Sequence, residues 1–163
     1  MADWVEVGQR APAFSLPTDE GGKIRLSDLK GRPVVLYFYP RDNTPGCTRE
    51  ACAFRDRQAE MKKLGAVVLG VSGDSIESHG KFRTNHGLNF PLLSDPDHQI
   101  AEKYGAWREK NMYGKKSLGI VRSTFLIGPT GKVVKVWKQV KVDGHDEQVL
   151  AALAELTGKA APA

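Results

Sequence analysis

The chain has 163 residues, of which 40% are hydrophobic and 26% charged. That is the length of one ordinary domain, able to bury roughly 70% of its unfolded surface. The composition excludes a disordered chain, and no apolar run approaches the ~20 residues of a membrane helix. The 24 basic and 19 acidic residues are scattered rather than clustered, which argues against nucleic acid as a partner. The densest basic stretch, "WREKNMYGKK" (107–116), reads as a solvated loop. "MADWVEVGQRAP" has no basic head followed by an apolar stretch, so it is no secretory signal, and the expected location is the cytoplasm.

"AFSLP" (13–17) and "KIRL" (23–26) flank "TDEGG", the pattern of an N-terminal β-hairpin. "SDLKG" follows as a helical turn with Ser27 as its cap. "PVVLYFY" (33–39) and "AVVLGVSG" (66–73) are apolar and rich in β-branched or aromatic residues, as strands covered on both faces are. The helix between them, about 45–64, carries Ala51, Phe54, Ala59 and Leu64 among its apolar positions. This βαβ unit makes the two strands parallel. Further helices are expected near 75–85 and 97–104, the latter capped by Asp95. "RSTFLIG" (122–128) and "KVVKVWKQV" (132–140) are antiparallel strands joined by "GPTG". A last helix, 145–157, has Val149, Leu150, Leu153 and Leu156 at helical spacing. Residues 1–157 then form one α/β domain, a mixed sheet flanked by helices, with 158–163 as a flexible tail. A thioredoxin-like fold suits the pattern, which flavodoxin-like folds partly share, so fold alone does not settle function.

The chain holds two cysteines, Cys47 and Cys52. Two are too few for a disulfide scaffold, and a disulfide in a cytoplasmic protein is more often catalytic or redox-sensing. Pro40 ends the strand, Thr44 suits an N-cap and Pro45 the first helical position. Cys47 therefore falls in the first turn, where backbone N–H groups lack helical acceptors and the dipole is positive. A free thiol titrates near pH ~8.5, and such a site favours the thiolate. Gly46 lets another molecule approach the backbone. Free cysteine is often only a small buried hydrophobe, but the Thr-Pro-Gly-Cys helix start marks Cys47 as a nucleophile.

Cys52 is either a packing residue on the inner face of the helix or a partner for Cys47. Five residues of α-helix put their Cα atoms roughly 8–9 Å apart, beyond the ~7 Å a disulfide tolerates. Any bond between them requires the first turns to unwind. His79, His86, His98 and His145 have no zinc-like spacing with the cysteines, so no metal site is expected.

"YFYPRDNTPGCTREAC" resembles the active-site signature of the peroxiredoxins, whose Pro-x-x-x-Thr-x-x-Cys pattern falls on Pro40, Thr44 and Cys47. "TPGCTREAC", "LGVSGDS", "FPLLSD", "YGAWREKNMYGK" and "GIVRSTFLI" are similar to the bacterioferritin-comigratory protein, or peroxiredoxin Q, subfamily. The similarity runs from "VGQRAPAFSLP" to about residue 155. It implies a thioredoxin-like fold and a thiol-dependent peroxidase acting on hydrogen peroxide and organic hydroperoxides. Cys47 is then the peroxidatic nucleophile and Arg122 in "GIVRSTFLI" the active-site arginine. Thr44, Gly46 and Arg122 contact the peroxide, and Pro40 shields the sulfur. Glu50 fits a family position that orients the site, although a solvated helix glutamate fits as well. Cys52 is the resolving residue, forming a disulfide that thioredoxin or a similar dithiol reduces. Neither metal, haem nor flavin is implied, and the subfamily leans towards a monomer. The rival readings are a thioredoxin-like thiol:disulfide oxidoreductase, whose Cys-x-x-Cys is absent, and a redox sensor or holdase using the same cysteines.

Overall fold

A computed structural model of the chain describes residues 3–158. β1 (Ser15–Pro17) and β2 (Lys23–Arg25) form the expected antiparallel hairpin, with Leu16 opposite Ile24. The turn after it is a short 3-10 helix, Leu26–Leu29, entered from Arg25 with no side-chain cap. Ser27 is thus inside that turn and does not cap it.

β3 (Val34–Phe38), α1 (Pro45–Lys63) and β4 (Val67–Ser72) form the βαβ unit, with Val34 opposite Val67 in parallel register. β3 is buried on both faces, which explains its unbroken apolar run. Val35, Tyr37 and Tyr39 pack into one core with α1 and the last helix, whereas Val34, Leu36 and Phe38 pack into another on the opposite face. Gly70 in β4 allows the close approach of Tyr37, because a Cβ there would lie 2.9 Å from the phenol oxygen. On α1, Ala51, Phe54, Met61 and the flanking Leu64 are buried, while Ala59 faces solvent. The inward stripe therefore passes through Met61 rather than Ala59.

α2 (Ile76–His86) is capped by Ser75, whose hydroxyl accepts from the Ser78 amide. β5 (Leu92–Ser94) extends the sheet beside β4 in parallel. Its three residues gave too short a period to be anticipated. α3 (Gln99–Tyr104) begins two residues later than expected, and Asp95 Oδ2 accepts from the Ile100 and Ala101 amides at 3.1 and 3.0 Å.

β6 (Trp107–Met112) and β7 (Lys115–Ile120) form an antiparallel hairpin, where a solvated loop was expected. Its two-residue connection has Tyr113 at φ 55° and Gly114 at φ 77°, the type I′ turn that matches strand twist. β8 (Ser123–Ile127) runs antiparallel to β3, and β9 (Val133–Trp137), shorter than expected, antiparallel to β8. The main sheet has the order β5-β4-β3-β8-β9. α4 (His145–Thr157) packs beside α1 through Val149, Leu150 and Leu153. The tail expected from 158 lies, beyond Gly158, outside the described residues.

Candidate active site

β3 stops before Pro40, and the chain crosses to α1 through Asn43, a residue with φ of 63°. Asparagine tolerates this left-handed backbone better than most residues. Pro45 opens α1 and Thr44 holds the extended backbone of an N-cap, but its side chain makes no capping bond. The Thr44 hydroxyl instead donates to the Arg41 carbonyl at 2.9 Å. Its proton is thereby committed, which leaves the oxygen's lone pairs as acceptors.

Cys47 lies in the first turn, 1% exposed and packed with Tyr37, Tyr39, Ala51 and Phe54. Sheet register carries Arg122 to it. Ser123 pairs with Phe38 across the β3–β8 ladder, so the preceding residue emerges at the end of β3 from which the loop to Cys47 departs. Arg122 Nη2 donates to Cys47 Sγ at 3.2 Å, and Nη1 donates to Glu50 Oε1 at 2.8 Å. One guanidinium fork therefore holds a sulfur and a carboxylate one helical turn apart. Burial opposes the charge of Arg122, but Glu50 and Cys47 together hold its pKa above the usual arginine value.

Glu50 is buried, not solvated. Burial pushes its carboxyl up from 4.5 to about 7, against the charge and hydrogen bond of Arg122. Its Oε2 has no hydrogen-bond partner. Gly46 has a steric reason as well: a Cβ there would lie 3.1 Å from Arg122 Nη2. Pro40 is exposed and lines, with Arg122, Val121, Gln139 and Lys110, an open hollow beside the site. The burial of Cys47 therefore comes from its packing partners and the guanidinium, with Pro40 at the rim.

Cys52 is half-buried with a free thiol, within the same unbroken helix as Cys47. The structure thus brings Thr44, Gly46, Cys47, Glu50 and Arg122 together and leaves Cys52 out of bonding reach. Lys110 was not anticipated. Burial and the neighbouring Arg122 lower its pKa, while Cys47 raises it. It comes from the β6–β7 hairpin, which Tyr-Gly between two polar-apolar runs could have signalled.

A buried sulfur at a helix N-terminus beside a guanidinium can attack an electrophile that develops negative charge on leaving. Residues 7–136 match the AhpC/TSA family model. The chain is 48% identical to peroxiredoxin Bcp of Bacillus subtilis over 155 residues, which cover 95% of this chain and 99% of that protein. It is 45% identical to peroxiredoxin Bcp of Escherichia coli over 151 residues, covering 93% and 97%. The bacterioferritin comigratory protein of Xanthomonas campestris, solved in a study of its alkyl peroxide reduction activity, superposes with a TM-score of 0.87. That match has 43% identity over 96% of this chain and 99% of that one. The mixed sheet with flanking helices is accordingly the thioredoxin-like fold of these proteins. Family model, relatives and fold agree that the chain belongs to the AhpC/TSA family, among the Bcp or peroxiredoxin Q peroxiredoxins.

Proposed function

We propose that this thiol-dependent peroxidase reduces hydrogen peroxide and organic hydroperoxides through Cys47, with Cys52 resolving the oxidised sulfur. The observation that carries the assignment of residues is the Arg122 Nη2 to Cys47 Sγ contact of 3.2 Å at the start of α1.

The Cys47 thiolate attacks the terminal oxygen of ROOH. The S–O bond forms, the O–O bond breaks, and RO⁻ leaves and takes a proton to become ROH. Arg122 and the unpaired amides of the first helical turn stabilise the charge that moves onto the leaving oxygen. Thr44, its own proton held by Arg41, accepts a hydrogen bond from the peroxide and orients it. Glu50 fixes the guanidinium. Gly46 leaves room for both guanidinium and substrate. Pro40 borders the entrance.

Cys47 becomes a sulfenic acid, which condenses with the Cys52 thiol to a disulfide and water. Since both lie in α1, the helix start unwinds during each turnover. A dithiol, in our reading thioredoxin, exchanges with the disulfide and restores both thiols. Both cysteines of this cycle lie in one chain, which supports a monomer as the working unit. Among the described residues no helix is long and apolar enough to cross a membrane, and we place the enzyme in the cytoplasm without a nucleic-acid partner.

The test is peroxide-dependent NADPH oxidation with thioredoxin and thioredoxin reductase. The wild type supports turnover and Cys47→Ser does not. Turnover by Cys47→Ser contradicts the proposal.

A further inference from the structure

Besides Cys47, the chain buries a second polar cluster, which the chemistry above leaves unused. It centres on Asp42, the middle of the loop that runs from Pro40 to Thr44. Asp42 is 6% exposed and His79 is fully buried. His79 Nδ1 lies 2.7 Å from Asp42 Oδ2, and Nε2 lies 2.9 Å from the Leu93 carbonyl. Both ring nitrogens lie against acceptors, an arrangement that suits the protonated ring, and the Tyr39 hydroxyl 3.4 Å from Nδ1 is turned to Asp42 Oδ1. Its surroundings agree. Burial opposes the charge, but the hydrogen bond and charge of Asp42, with the Leu93 carbonyl and Asp74, outweigh it and raise the pKa.

The cluster reaches the loop from four elements. Tyr39, beyond the end of β3, donates its hydroxyl to Asp42 Oδ1 at 2.6 Å, and Ser78 of α2 donates to Oδ2 at 2.8 Å. The Asp42 amide donates to Asp74 Oδ2 at 2.8 Å, after β4, and Ser72 holds that same oxygen at 2.7 Å. Leu93 belongs to β5. Asp42, Asp74 and His79 place ligand atoms within 4.8 Å of one another, a spacing a metal ion could use. Asp42 Oδ2 and Asp74 Oδ2, however, each already accept two hydrogen bonds, and both ring nitrogens of His79 are engaged. The set is a filled clamp.

The position of the clamp gives it a consequence. It grips residue 42, while the acceptor Thr44 and the nucleophile Cys47 follow two and five residues later, across the left-handed Asn43. Disulfide formation with Cys52 requires the chain after Thr44 to unwind, but nothing in that step requires residue 42 to move. We propose that the Asp42–His79 pair is a positioning device for the peroxide step. It fixes the 40–44 loop so that Thr44 and Cys47 meet the substrate together, and it is the stationary post from which α1 unwinds and rewinds. This rests on the assignment of Cys47 as the peroxide-reducing sulfur.

The experiment separates the two steps. Stopped-flow mixing with hydrogen peroxide gives the second-order rate of Cys47 oxidation, and the following unimolecular phase gives disulfide closure. In His79→Leu the first rate falls by about tenfold or more, the scale expected when reacting groups are slightly misplaced. Closure stays within about twofold of wild type or accelerates. His79→Asn, which keeps a donor where Nδ1 stands, recovers most of the first rate. Asp42→Asn, which keeps the shape of the loop but not its charge, slows oxidation about threefold or more with closure unchanged, and serves if His79→Leu does not fold. Oxidation within twofold of wild type in His79→Leu and Asp42→Asn, or equal slowing of both steps, overturns the inference. Absence of any Cys47 oxidation in the wild type refutes instead the peroxidase assignment beneath it.

Discussion

Glu50→Gln tests the electrostatics of the site through stability. The carboxyl is 2% exposed in its side chain, and burial raises its pKa from 4.5 to about 7 despite the ion pair with Arg122. A carboxyl with a raised folded-state pKa holds its proton more tightly when folded. Its contribution to stability is therefore fully present below pH 4.5 and is lost as the pH rises through 7. The shift corresponds to about 3 kcal/mol across that window, as an upper bound. Glutamine has no proton to lose, its carbonyl still accepts from Arg122, and its amide replaces the unpartnered oxygen. Urea unfolding at intervals from pH 4.5 to 8 should show Glu50→Gln gaining on the wild type by up to about 3 kcal/mol, most of it between pH 5 and 7. Parallel curves across that range refute the reasoning, and would place the charged carboxylate in a far better solvated setting.

Arg122→Ala should slow peroxide reduction by about 10² to 10³, the cost of removing one donor aimed at developing charge. Arg122→Lys should recover little of this, because a single ammonium cannot hold both Glu50 and Cys47 as the fork does. Stopped-flow oxidation of the reduced proteins measures both. Gly46→Ala should leave stability unchanged or raise it by up to ~1 kcal/mol through helix propensity. The same change should slow Cys47 oxidation severalfold, since the added carbon meets Arg122 Nη2 at 3.1 Å. Equal rates would mean that the guanidinium yields without consequence. Cys52→Ser should still consume one peroxide per chain but lose thioredoxin-dependent turnover, and normal turnover would return Cys52 to a packing role. His79, with its raised pKa, stabilises the fold fully below about pH 6.5 and loses that contribution as the pH rises through its folded-state value. The stability gap between wild type and His79→Asn should therefore narrow from pH 6 to pH 9 in urea unfolding.

Local chemistry made the helix start that carries Cys47 legible. Proline after an apolar strand, then Thr-Pro-Gly, set the helix start, and α1 begins at Pro45 as that pattern requires. The same logic assigned the Thr44 hydroxyl to capping, and there it failed: the side chain is turned to the Arg41 carbonyl three residues back and accepts from no helix amide. Arg122 lies outside any local pattern. It meets Cys47 through the β3–β8 register, 75 residues along the chain, and only resemblance to a family pointed to it. Glu50 could be read two ways on one helix, since its burial depends on the distant arginine that covers it. The Asp42–His79 clamp left no sequence signal, because its members lie 37 residues apart and belong to a loop and a helix. The β6–β7 hairpin was missed because its charged residues mask the alternation, although Tyr-Gly supplied the turn.

The continuity of α1 through both cysteines links structure to turnover. In the cycle we propose, the folded helix presents Cys47 to peroxide and the unwound helix start lets Cys52 reach it. On that proposal, stability in this segment acts in opposite directions on the two steps, favouring oxidation and opposing closure.

The most direct test of Cys47 as the peroxide-reducing sulfur uses Cys52→Ser, in which the oxidised sulfur cannot be resolved within the chain. After one equivalent of hydrogen peroxide and trapping with dimedone, peptide mass spectrometry should find a single adduct, on Cys47. Consumption of peroxide with Cys47 left as an unmodified thiol would contradict the account.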